Sequence, residues 1–238
     1  MDVVGDLLAR ERRSDRPALY TAEREMDYRR FCTTTWKASN YLRHLGVGDD
    51  RGVVVLADGS PPPLLTFFGA ALLATPTRFA DDIADVSAAV DAIDARAVLV
   101  SSEDESAVDP PAGTTLTVHG DAPAAATTEN WEEGVWSENP AFVSTATPAS
   151  TVLVTPNETV SHGELLTAGE RIAAEFDLGT EDTVHVQASL ADPRAVAGVV
   201  APLSVGGAVR FGEEGEDGDV TVGEGGDIPL SSISLSPA

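Results

Sequence analysis

Two short runs of uninterrupted apolar residues, Val53-Val-Val-Leu-Ala57 and Ala97-Val-Leu-Val100, constrain this chain more than any other feature. A strand with one wet face alternates apolar and polar residues, so an unbroken run marks a strand covered on both faces. Such strands need helices above and below them. The sequence supplies those. Helical spacing and stop signals predict helices over Val3–Arg13, Tyr28–Leu45, Leu64–Leu73, Ile83–Ile93, Ser161–Phe176 and Pro193–Ser204. Asp27 can cap the second and Gly46 ends it, while Ser161-His-Gly-Glu164 is a capping box for the fifth. Further strands are predicted at Pro17–Thr21, Arg24–Tyr28 (after a turn at Ala22 and Glu23), Ala74–Phe79, Thr114–His119, Ala141–Ser144, Thr151–Thr155, Thr183–Ala188 and Ala208–Phe211. Strands alternating with helices give an α/β class: layered, largely parallel sheets with flanking helices.

Charge bounds the partners. The 238 residues hold 39 Asp and Glu against 15 Lys and Arg, a net charge of −24. Lys37 is the one lysine; every other cation is arginine. Such a chain repels itself in dilute buffer, but near 1 M salt the Debye length falls to roughly 3 Å and the repulsion is screened. Carboxylates in place of lysines over a whole surface fit a cytoplasm filled with salt, so a haloarchaeal type of protein is expected. An acidic interaction domain from an ordinary cell would leave the missing lysines unexplained. The same charge argues against unaided binding to nucleic acid or anionic lipid, which needs clustered cations. No apolar run reaches the roughly 18 residues of a membrane span. Leu64–Ala74 is broken by Thr66 and Gly69, and Arg10, Glu11, Arg12 and Arg13 leave no secretory signal visible. A cytoplasmic location is expected.

Four blocks organise the chain: an α/β subdomain over 1–120, an acidic linker or excursion over 121–138, a second α/β segment over 139–211 and an acidic, Gly-rich tail over 212–238. Lone Cys32 excludes an internal disulfide. His44, His119, His162 and His185 stand at no metal-ligand spacing, so no metal is expected. Asp81, Asp82 and Asp85 read as the acidic first turn of a helix rather than a cation site. Trp131 and Trp136 either anchor a partner or pin the excursion to the core.

The order of several phrases resembles the N-terminal part of the adenylate-forming enzymes: acyl-CoA synthetases, peptide-synthetase adenylation domains and luciferases. Asp6-Leu-Leu-Ala-Arg10 leads to Asp15-Arg-Pro-Ala-Leu-Tyr20 and Met26-Asp-Tyr28. Ala38-Ser-Asn-Tyr-Leu-Arg-His-Leu-Gly-Val-Gly48, Val53-Val-Val-Leu56 with Ser60-Pro61, and Ala95-Arg-Ala-Val-Leu-Val100 follow in the family's sequence. Later, Asn139-Pro-Ala-Phe-Val143 is similar to the phrase before the family's phosphate loop, and Val160-Ser-His-Gly-Glu-Leu165 to the phrase after it. Asp177–Thr183 and Ala197–Ala208 match what comes next. The resemblance implies the layered fold of acyl-CoA synthetase N-terminal domains.

Its departures bear on activity. The family's loop is rich in Ser, Thr and Gly and ends Gly-x-Pro-Lys-Gly, with backbone amides and a lysine facing the ATP phosphates. Here no glycine and no lysine lies between Phe142 and His162. Ser144, Thr145, Thr147, Ser150 and Thr151 keep hydroxyls as a relict of that loop, without positive charge. All three tyrosines lie by residue 41, so the later Tyr-Gly-x-Thr-Glu motif is absent, as is the ribose-binding Thr-Gly-Asp. The chain stops at Ala238, so the family's mobile C-terminal domain and its lysine are expected to be missing. The expectation is an acyl-CoA synthetase-like domain with no catalytic residue and no cofactor of its own, ATP, AMP or CoA entering only if the relict loop still binds. Its role would be binding or regulation with a protein partner or a second copy. The alternative is half of a split AMP-forming ligase completed by another chain.

Overall fold

The computed structural model describes residues 1–22, 24–48, 51–141, 143–212 and 219–236. In chain order the elements are Pro17–Tyr20 (β1), Glu25–Asp27 (β2), Tyr28–His44 (α1), Val53–Leu56 (β3), Pro61–Leu72 (α2), Thr77–Ala80 (β4), Val86–Ala92 (α3), Ala97–Ser101 (β5), Thr115–His119 (β6), Glu129–Asn130 (β7), Trp131–Ser137 (α4), Thr151–Val154 (β8), Thr159–Ser161 (β9), His162–Glu175 (α5), Thr183–Val186 (β10), Pro193–Val205 (α6), Ala208–Arg210 (β11) and Val220–Val222 (β12). The class is α/β, with mostly parallel sheets flanked by helices.

The chain divides into two compact units. One comprises Met1–Cys32, Thr147–Ala149 and Val160–Ala238; the other comprises Thr33–Ala146 and Ser150–Thr159. In the first unit the strand order is β12-β10-β11-β1-β2. β12, β10, β11 and β1 run parallel, and β2 turns back antiparallel on β1. Strand pairing across the sequence explains the interleaving: Leu19 of β1 stands opposite Val209 of β11.

α5 and α6 supply the helical layer of this unit, and they approach closely because Gly169 faces Val200. A Cβ on Gly169 would lie 2.5 Å from a Val200 methyl and 2.9 Å from its Cβ. Gly169→Ala is therefore expected to destabilise the protein by about 1–3 kcal/mol through overpacking, despite alanine's better helix propensity. A melting temperature equal to wild type would contradict that. α6 ends at Gly206, whose φ of +84° suits glycine and whose N–H bonds back to Leu203 and Pro202.

In the second unit the strand order is β7-β6-β5-β3-β4-β8. The apolar runs that predicted doubly covered strands are its centre: Val53, Val54, Val55, Ala97, Val98, Leu99 and Val100 are fully buried. Val54, Val98, Val100 and Val118 form one core cluster with Val86, Ala89, Val90 and Ile93 on and beside α3.

Several predicted elements change shape. Val3–Arg13 is two short 3-10 turns, Val4–Leu8 and Arg10–Arg12, broken by extended Ala9. The Asp6 carboxylate accepts from the amides of Asp2 and Val3 and tightens the first turn. α2 starts at Pro61 rather than Leu64, since proline fits a helix's first turn. β4 starts only at Thr77, because Ala74 is turned to φ +57°. Ala141, Val143 and Ser144, expected as a strand, are coil, and Phe142 lies outside the described residues, as does Glu23 of the predicted turn.

The acidic stretch 121–138 folds into β7 and α4. Trp131 is buried there and its Nε1 donates to Thr66 Oγ1 at 2.9 Å, so it pins this stretch to its own unit; Trp136 is exposed. Of the Gly-rich tail, residues 213–218 lie outside the described residues, while β12 pairs with β10. Among the described residues no helix is long and apolar enough to cross a membrane.

Candidate functional site

The predicted relict loop falls into three pieces. Ser144, Thr145 and Thr147 are exposed coil, Ser150 is half-buried at the end of that coil, and Thr151 opens β8. Thr147 belongs to the first unit and the other four hydroxyl residues to the second. The Thr145 amide donates to the Leu72 carbonyl at 3.2 Å.

Downstream, β8 and β9 are joined by the tight turn Thr155-Pro-Asn-Glu158. Its polar groups close on each other: the Thr155 amide donates to the Glu158 carbonyl at 2.9 Å. The Thr155 hydroxyl accepts from the amides of Asn157 and Glu158 at 3.3 and 3.1 Å. A phosphate cradle needs amides that point outward without partners. These amides are occupied.

The start of α5 is occupied in the same way. Free N–H groups at a helix N-terminus attract anions. Here the Gly163 amide donates to the Pro148 carbonyl at 2.9 Å, and the Glu164 amide to the Ser161 hydroxyl at 3.3 Å. The Glu164 carboxylate accepts from the Ser161 amide and hydroxyl at 2.8 and 2.7 Å, which holds it below the usual carboxylate range. The capping box read from sequence is thus formed, and it fills the helix end with the protein's own anion.

His162, the next residue, is completely buried, and neither ring nitrogen has a hydrogen-bond partner. Burial pushes its pKa down to about 4, with Asp6 opposing. The imidazole is neutral at neutral pH and faces no proton-transfer partner.

The other histidines, the acidic turn and Cys32 lie apart from one another. His44 is exposed. His185 is buried, with Nε2 2.8 Å from the Gly212 carbonyl and Nδ1 3.3 Å from Gln187. His119 is buried with Nε2 3.5 Å from Asp58. Asp82 caps the turn after β4 through the Asp85 amide, and Asp85 pairs with the buried guanidinium of Arg78 at 2.8 Å. Burial raises the Cys32 thiol to about 11, against the opposing charges of Arg12 and Arg13, so it is protonated and unreactive at neutral pH. Among the described residues no group of three or more His, Cys, Asp or Glu side chains could hold a metal ion.

Reading the sequence for chemistry passes over one feature, a small cavity lined by Arg12, Ser14, Arg16 and Tyr28. The signal for it was present: Arg10, Arg12, Arg13 and Arg16 fall within seven residues of a chain poor in cations.

No protein-family model matches the sequence, and no curated protein does. Solved structures do match. A benzoate CoA ligase from Burkholderia xenovorans LB400 is 22% identical with a TM-score of 0.77, over 90% of this chain and 46% of its own. The N-terminal domain of FACL13 from Mycobacterium tuberculosis is 16% identical with a TM-score of 0.76, over 91% of this chain and 58% of its own. The anthranilate CoA ligase AuaEII, solved with anthranoyl-AMP, is 16% identical with a TM-score of 0.77, over 90% and 45%. The chain spans about half the length of these ligases. At these identities the likeness is one of architecture: the chain has the fold of the N-terminal part of the acyl-CoA and AMP-forming ligases.

Proposed function

We propose that this is a ligase-like domain that does not form adenylates by itself and serves as a binding or regulatory protein in a salt-rich cytoplasm. One observation carries the reading. The amides of the Thr155–Glu158 turn, in which the resemblance ends the relict loop, and of the α5 N-terminus just after it are already bonded within the chain. The stretch between Phe142 and His162 also offers no lysine to offset phosphate charge. A triphosphate there would have to break the capping box and displace the Glu164 carboxylate.

The test is calorimetric titration of ATP with Mg²⁺ in about 2 M KCl, where screening is nearly complete. The expected result is no saturable heat at millimolar ATP. Saturable micromolar binding would overturn the reading and favour half of a split ligase completed by another chain, a role compatible with the fold match to half of each ligase.

A further inference from the structure

The first unit holds a cavity of about 250 Å³ lined by Glu11, Arg12, Ser14, Arg16, Tyr28 and Gly206. That is smaller than the pockets that enclose drug-sized ligands, roughly 300–1,000 Å³. Its walls are set by the backbone. The Ser14 and Arg16 carbonyls accept from the amides of Arg29 and Tyr28, both at 2.9 Å, which ties this segment to the first turn of α1. On the opposite side, the left-handed Gly206 leaves room for Arg16: a Cβ on that glycine would stand 2.9 Å from the Arg16 Nη2.

The lining is cationic in a chain of net charge −24. Two guanidinium groups face one carboxylate, Glu11. Arg12 Nη2 is committed to the last carbonyls of α6, those of Leu203 and Ser204, and so neutralises the negative end of that helix. Arg12 Nε and Ser14 Oγ, both buried, have no hydrogen-bond partner. Buried donors without partners are uncommon and call for an explanation. The Tyr28 hydroxyl donates to the Gly207 carbonyl at 2.6 Å, leaving its oxygen lone pairs close to both arginines. Burial pushes that phenol up to about 12, with Arg12 and Arg16 opposing, which places both charges near it.

We propose that this cavity is a binding site for a small tetrahedral oxyanion of the phosphate type, held by the Arg16 guanidinium, Arg12 Nε and the Ser14 hydroxyl. Donors on three different side chains suit an anion with oxygens in several directions better than a flat carboxylate, and charge-assisted bonds of this kind are the stronger ones. The site is separate from the turn and helix end discussed above and does not rest on the ligase-like reading.

The probe is inorganic phosphate, titrated into the full chain in about 2 M KCl and followed by ³¹P NMR, with chloride competing for the charge but not for the geometry. Saturable binding is expected, weakened about tenfold or more by Arg16→Gln, a change at an exposed side chain, and several-fold by Ser14→Ala. Both variants should keep the wild-type circular dichroism. Absence of saturable binding, or binding undiminished in Arg16→Gln, would overturn the proposal. Methyl phosphate separates the sources: binding as tight as inorganic phosphate assigns the site to a phosphate group carried on a larger molecule, and markedly weaker binding assigns it to free phosphate.

Discussion

Moving the protein from about 2 M KCl into dilute buffer is expected to unfold it. The 24 uncompensated negative charges lie on a chain with only 15 cations, and several of those cations are engaged in local pairs. Arg78–Asp85 and Arg210–Asp219 are shielded pairs that neutralise themselves. Arg29–Asp15 is exposed, and pairs of that kind contribute little. Against a net stability of about 5–15 kcal/mol for a typical domain, unscreened repulsion can decide the balance. At 0.01 M salt the Debye length is about 30 Å, so charges act across much of a folded domain. Far-ultraviolet ellipticity followed against KCl concentration is the measurement, with fluorescence from the buried Trp36 and Trp131 as a second probe. Native ellipticity retained in 10 mM buffer would sink the salt-adapted reading.

Acid is expected to unfold the first unit through His162. Its folded pKa is about 4, against an ordinary value near 6.5. The unfolded chain therefore binds more protons between pH 6.5 and 4. The neutral, buried ring contributes its full share of stability above about pH 6.5, and that share is lost as the pH falls toward 4. The integrated loss is about 3 kcal/mol. Glu164, with its pKa held low by Ser161, acts in the same direction at lower pH: its stabilisation is present above the ordinary carboxylate pKa and lost as it becomes protonated. Acidification also relieves the self-repulsion of the chain, which works the other way. The variant isolates the histidine: in molar KCl, urea unfolding of His162→Leu and wild type at pH 7.5 and 4.5 should show a stability difference that shifts by about 2–3 kcal/mol in favour of the variant at the lower pH. A pH-independent difference would assign acid sensitivity to the carboxylates.

The parts of the fold legible in the sequence were those set by local chemistry. Val53–Ala57 and Ala97–Val100 read as buried strands because nothing polar interrupts them, and they form the centre of a sheet. Gly46 and the Ser161–Glu164 box read as helix boundaries because capping depends on adjacent residues. What failed depended on distant partners. Val3–Arg13 has helical spacing, yet Arg12 reaches the end of α6 and the segment breaks into two turns. The stretch 121–138 read as a linker or surface excursion because it is rich in Ala, Thr and Glu. Trp131 becomes part of the core only through Thr66, a residue far away in sequence. For the same reason the run of arginines over 10–16 did not by itself disclose a cavity, whose walls come from residues 11–16, residue 28 and residues 204–206. Flanking phrases suggested where a phosphate loop would lie, whereas the hydrogen bonds of the Thr155–Glu158 turn and the α5 start depend on backbone geometry that the phrases do not carry.

The pairing of β1 with β11 bears on how the chain is made. Leu19 leaves the ribosome long before Val209, and at about 5–20 residues per second the roughly 190 residues between them take on the order of 10–40 s to synthesise. Throughout that interval β1 has only β2 beside it, while strands β3 to β8 of the second unit, all encoded between residues 53 and 154, can pair before β11 is made. The nascent first unit thus waits with an unpaired strand edge, a state that invites association with neighbouring chains. Arg16 and Asp15 immediately before β1, and Glu25 and Asp27 on β2, place charge along that waiting hairpin. Charged side chains on an unpaired edge disfavour such pairing.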